Sequence, residues 1–98
     1  MLERELQRKV VKAFRERGCF VVNTVGSMYG TAGVPDLVGC YRGAAFAIEL
    51  KVVGRKPTPA QWEQLRQAEA AGAHVSVCTS LRAALGVLDG IDEEVGWE

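Results

Sequence analysis

Apolar and polar positions change period several times along the 98 residues, and those changes divide the chain into elements. Leu2, Leu6, Val10, Ala13 and Phe14 recur at three- and four-residue intervals among Arg, Lys and Glu, which predicts an amphipathic helix over 2–17, ended by Gly18. Cys19 to Val25 is β-branched and aromatic and reads as a strand. Gly26 to Gly33 brings three glycines in eight residues with no periodicity, and reads as a loop. Two apolar runs, at 35–41 and 44–52, then flank Arg42-Gly43, a two-residue hairpin turn. Thr58-Pro59-Ala60-Gln61 combines an N-cap threonine, a first-turn proline and a glutamine three residues after the cap, so it starts a helix that runs to about Ala71 and stops at Gly72. His74 to Cys78 alternates as a last strand. Thr79 or Ser80 can cap a short helix from Leu81 to Leu88, leaving an acidic tail over 89–98 whose bulky apolar residues are Ile91, Val95 and Trp97.

The expected fold is therefore α/β: one domain over 1–98, with a mixed β-sheet flanked by helices in the order α-β-β-β-α-β-α. The hairpin strands are apolar on both faces apart from their acid and lysine positions, as expected of central strands covered by helices on each side.

The hairpin turn carries a chemical consequence. Pairing runs outward from Tyr41 opposite Ala44, through Cys40 with Ala45 and Val38 with Ala47, to Asp36 opposite Glu49. Strand side chains alternate faces, so Glu49 and Lys51 project from one side while Ile48 and Leu50 pack on the other. Two carboxylates facing each other on one sheet face destabilise the pairing unless something cationic lies between them. A divalent metal is the simplest candidate, with Lys51 as the neighbouring positive group. Separately, Asp36 reads as a strand-start acid and Glu49 with Lys51 as an exposed ion pair; it is the register that joins them into a site.

The formal net charge is zero, but the charge is unevenly spread. Residues 1–56 hold ten Lys/Arg against five Asp/Glu, and residues 57–98 hold two against seven. A basic front half can attract a polyanion even though the total is neutral. Cys19, Cys40 and Cys78 are an odd number, lack CxxC spacing and sit in apolar runs, so they read as core thiols of an intracellular protein rather than a zinc site. The charged N-terminus has no apolar signal-peptide region and no segment is long enough to span a bilayer, which fits a soluble, non-secreted chain. His74, the sole histidine, has no partner at metal-site spacing and reads as structural or exposed. Met28 and Tyr29 read as loop anchors, contact with a base or sugar being the sharper alternative.

Gly33-Val34-Pro35-Asp36-Leu37 followed by Ile48-Glu49-Leu50-Lys51 resembles the PD-(D/E)XK nuclease superfamily. Within it the chain looks like a stand-alone VRR-Nuc domain from about Leu2 to Leu88, given its N-terminal helix with an early Glu, a glycine-containing loop before the proline-aspartate, and a glutamine after a Thr-Pro helix start. The resemblance implies a restriction-endonuclease-like core and a Mg2+- or Mn2+-dependent endodeoxyribonuclease that leaves a 5′-phosphate and a 3′-hydroxyl. It implies metal-binding carboxylates at Asp36 and Glu49, with the carbonyl of Leu50 as a further oxygen ligand. Lys51 would orient or activate the attacking water and help neutralise the phosphate. Gln61 matches the helix-borne glutamine near the site, although as the capping-box partner of Thr58 it already has a local role. Glu3 matches the N-terminal acid, with Glu5 as a rival; either acid would also favour the positive end of its helix.

The resemblance further implies DNA as partner, branched DNA such as a Holliday junction as substrate, a symmetric homodimer, and a phage or prophage source. Flap, nicking or fork cleavage is the alternative within the enzyme class. A non-catalytic nucleic-acid-binding module is the alternative outside it.

Overall fold

The computed structural model describes residues 2–25 and 32–96. Met28, Tyr29 and Trp97 lie outside them. The described elements are α1 (Glu3–Glu16), β1 (Phe20–Asn23), β2 (Leu37–Tyr41), β3 (Ala44–Leu50), α2 (Pro59–Ala70), β4 (His74–Cys78) and α3 (Leu81–Val95). The four strands form one sheet in chain order, antiparallel at β1–β2 and β2–β3 and parallel at β3–β4. The parallel step follows because α2 returns the chain to the starting end of β3.

The Arg42-Gly43 turn forms as expected, both residues having positive φ (52° and 84°), the conformation a tight turn between twisted strands requires. Glycine tolerates it at the second position without steric cost. The register that results pairs Tyr41 with Ala44 and Leu37 with Ile48. Thr58 accepts a hydrogen bond from the Gln61 amide while Gln61 Oε1 accepts one from Thr58 N–H, completing the capping box.

Helices α1 and α3 pack on one sheet face and enclose the core. Leu6, Val10 and Phe14 of α1 meet Val21, Leu37, Phe46, Ile48 and Leu50 of the sheet and Ala84, Leu88 and Ile91 of α3. Phe14 stands edge-on to Phe46 at 5.3 Å between ring centroids. Each fully buried Leu, Ile or Phe contributes about 1.5–3 kcal/mol to folding.

Three expectations change. The other sheet face is covered only in part: among the described residues α2 lies over β3 and β4 and no helix covers β1 and β2, with Phe20 64% exposed. Cys40 faces that open side and is exposed, so it is not a core thiol, whereas Cys19 and Cys78 are buried. Third, α3 does not end at Leu88 but continues to Val95 through the stretch read as an acidic tail. Ala84, Leu88 and Ile91 extend its buried stripe, and buried Asp92 accepts hydrogen bonds from Tyr41 Oη (2.9 Å), Arg42 Nη1 (2.9 Å) and Arg17 Nη2 (3.0 Å). These partners come from distant parts of the chain, so the segment's acidity is neutralised by tertiary contacts that no local pattern reveals.

Candidate metal centre

Four segments meet at the end of the sheet where β2 begins and β3 ends. Glu49 comes from β3, where alternation directs it away from the Ile48–Leu50 core face. Asp36 sits in the bend just before β2, one step past the Leu37–Ile48 pair, and its Oδ2 accepts the Leu50 N–H at 3.0 Å. The Asp36 peptide is also held from behind. Thr24, which extends the β1–β2 register by one residue, donates its N–H to Asp36 O (2.8 Å) and its hydroxyl to Pro35 O (2.5 Å). Glu3 opens α1, and one oxygen each of Glu3, Asp36 and Glu49 lie within 4.8 Å of one another. Glu5 is exposed and stands outside this cluster.

Electrostatically the cluster is unbalanced. Glu49 is 1% exposed; its Oε2 lies 3.3 Å from Lys51 Nζ, but its Oε1 has no hydrogen-bond partner among the described residues. Burial, reinforced by the Asp36 charge and opposed by Lys51, pushes the Glu49 carboxyl up to about 7. Burial also raises Asp36, opposed by the Leu50 N–H and reinforced by Glu3. Both shifts favour the protonated form, and at Glu49 that form persists to about pH 7.

An oxygen-only set of carboxylates with one buried oxygen unsatisfied suits a hard divalent cation such as Mg2+ or Mn2+ better than a soft one. A cation there would favour the ionised form of both carboxyls and give Oε1 a partner.

Of the residues expected at the site, Glu3, Asp36, Glu49 and Lys51 are brought together. Leu50 contributes its N–H to Asp36. Gln61 is engaged through Oε1 at the α2 cap, yet the start of α2 abuts the same region. Gly33, at φ 78°, packs so closely that a Cβ there would lie 2.5 Å from the Ala60 carbonyl carbon and 2.7 Å from Gln61 N. His74 Nε2 lies 3.3 Å from Glu94 Oε2, away from this cluster. Thr24 is the residue that sequence reasoning missed; the available signal was a lone hydroxyl at the end of an apolar strand, one register step from Asp36.

The family model for the archaeal Holliday junction resolvase (Hjc) matches residues 2–75. A solved structure described as a VRR_NUC domain superposes with a TM-score of 0.73 at 27% sequence identity, covering 89% of this chain and 94% of that one. No curated protein matches the chain significantly.

Proposed function

Because the chain belongs to the archaeal Holliday junction resolvase family and carries the VRR-Nuc form of the PD-(D/E)XK nuclease fold, we propose that it is a divalent-metal-dependent endonuclease acting on branched DNA. The observation that carries this reading is the Glu3–Asp36–Glu49 cluster with an unpartnered buried oxygen beside Lys51. Asp36, Glu49 and the Leu50 carbonyl hold Mg2+ or Mn2+, and Glu3 completes the acidic wall. A bound ion supplies Lewis acidity and a more acidic water at the scissile phosphate. Glu49 would give up its proton on binding it, so metal affinity rises with pH through about 7. Lys51 directs its ammonium at the attacking water and at the charge that grows on the phosphate oxygens, stabilisation that hydrolysis of a phosphodiester needs more than a protein nucleophile.

The four-way junction is the favoured substrate because the matching family model describes such resolvases. A two-fold homodimer would present two sites to two strands of a junction with matching symmetry. A second reading, a binding module without turnover, predicts salt-sensitive DNA binding and no metal effect on the DNA.

The test is incubation with linear duplex, flap, fork and four-way DNA, in Mg2+ or in chelator, for wild type, Asp36→Asn and Lys51→Ala. Wild type should cut the four-way substrate with Mg2+ alone, and both variants should bind it without cutting. Cutting by either variant at the wild-type rate sinks the assignment. Preferential cutting of flap or fork keeps the chemistry and replaces the substrate.

A further inference from the structure

The outer face of α1 holds a feature that the metal centre does not use. Arg4, Arg8, Val11 and Arg15 recur four, three and four residues apart, so they form one stripe along the helix, with Lys12 on its flank. Between this stripe and edge strand β1 runs a groove of ≈ 590 Å³ lined by Arg8, Val11, Lys12, Arg15, Glu16 and Asn23. Three of the six are cations and one is an acid. None of the three cations forms an ion pair with a described carboxylate. The position of the groove is as informative as its charge. Asn23 pairs with Leu37, the residue after Asp36, so the Asn23 end lies one register step from Asp36, and Glu3 opens the same helix.

We infer that this groove takes the sugar-phosphate backbone of a duplex DNA arm leading away from the scissile phosphate. The inference rests on the nuclease reading for the identity of the polyanion; the charge and the position come from the groove itself. Arg4 to Arg15 spans about 17 Å at ~1.5 Å rise per residue. One strand of B-DNA presents a charge every ~3.4 Å of axis, so about five successive phosphates pass the stripe. Among the described residues no strand pairs with the outer edge of β1, which leaves its backbone free toward the groove. Val11 is the single apolar side chain in the groove, too little to anchor a bilayer. Cations on such a path position DNA without reading its sequence.

The experiment measures binding of a labelled linear duplex by fluorescence anisotropy over a KCl series in chelator, for wild type, the triple variant Arg8→Ala/Lys12→Ala/Arg15→Ala, and the control Arg82→Ala on α3. All the altered side chains are exposed, and far-ultraviolet circular dichroism checks each fold. Each lost phosphate contact should make the slope of log K against log salt shallower by about 0.9, so the triple variant should lose roughly two to three slope units and the control none. An unchanged slope in the triple variant, or an equal loss in the control, overturns the inference. So does a triple variant that loses binding to anionic vesicles while keeping its DNA affinity. The nuclease reading is judged separately, by whether wild type cuts in Mg2+; wild-type cutting with an unchanged slope would remove the groove and leave the enzyme.

Discussion

Glu49→Gln should abolish cleavage and at the same time make the metal-free fold more stable at neutral and alkaline pH. The Glu49 carboxyl moves from an ordinary 4.5 to about 7 because it is buried and faces Asp36. At ~1.36 kcal/mol per unit, ionising it in the metal-free fold above pH 7 costs about 3 kcal/mol. The sign follows from proton counting. Between 4.5 and about 7 the folded chain holds a proton at Glu49 that the unfolded chain has released, so this group's contribution to stability falls as pH rises through that window and is level above it. Glutamine has the shape of the protonated acid and carries no charge to bury beside Asp36. The variant should therefore match wild type at the acid end of the window and exceed it by about 3 kcal/mol above pH 7, roughly 12–24 °C in melting midpoint for a chain of this size. Thermal melts followed by circular dichroism in chelator, across that pH range, read the difference directly. Mg2+ at ~100-fold over its dissociation constant should then restore about 2.7 kcal/mol to wild type and much less to the variant. If the stability difference between the two proteins does not change with pH, the picture of a buried carboxyl that ionises at a cost beside Asp36 is wrong.

Thr24→Val removes the hydroxyl that holds the Pro35 carbonyl, and since small displacements of catalytic groups can cost on the order of 100-fold, kcat should fall by 10- to 100-fold while duplex binding in chelator holds. Thr24→Ser keeps the hydroxyl and should recover most of the rate; equal loss in both variants would refute the positioning role. Asp92→Asn should lower the melting midpoint by several degrees at neutral pH without changing cleavage at permissive temperature. Asp92 is held below the ordinary carboxylate range by Arg42, with burial opposing, so its stabilisation is present above the unfolded pKa and lost as pH falls through the folded one. The deficit of the variant should accordingly shrink in acid, and a deficit that persists there would contradict the assignment.

The parts of this fold that a reader of the sequence can see are those set by neighbours in the chain. Arg42-Gly43 fixes a turn, the turn fixes a register, and the register delivers Asp36 beside Glu49; the Thr58–Gln61 box is equally local. The corrections all concern coverage. Cys40 sits in an apolar run that looks buried on both faces, but α2 is placed over β3 and β4, and nothing in the hairpin encodes how far that helix reaches. The last turns of α3 look like a solvated acidic tail because Arg17, Tyr41 and Arg42, which hold Asp92, are separated from it by 50 residues or more. Gln61 was open to two readings because one side chain fits both a cap and a site; its oxygen is engaged at the cap. Glu3 is the better match and Glu5 its rival in the sequence, since their helical phase relative to the sheet depends on how α1 packs; the structure places Glu3 in the cluster.

The two buried carboxylates, Asp92 and Glu49, explain each other. Asp92 is 7% exposed and receives three donors from α1, the hairpin turn and Tyr41, the arrangement expected of an acid that fixes elements in place. Glu49 is more deeply buried, has one cation on one oxygen and nothing on the other, and faces a second acid. A fold able to satisfy one buried carboxylate fully has no stability reason to leave the other deficient, because an unpaired buried acid costs more than an apolar residue of equal size. The deficiency is what the proposed metal role explains: one oxygen each of Glu3, Asp36 and Glu49 lie within 4.8 Å of one another, and a cation among them would give the open oxygen a partner while Lys51 holds the other.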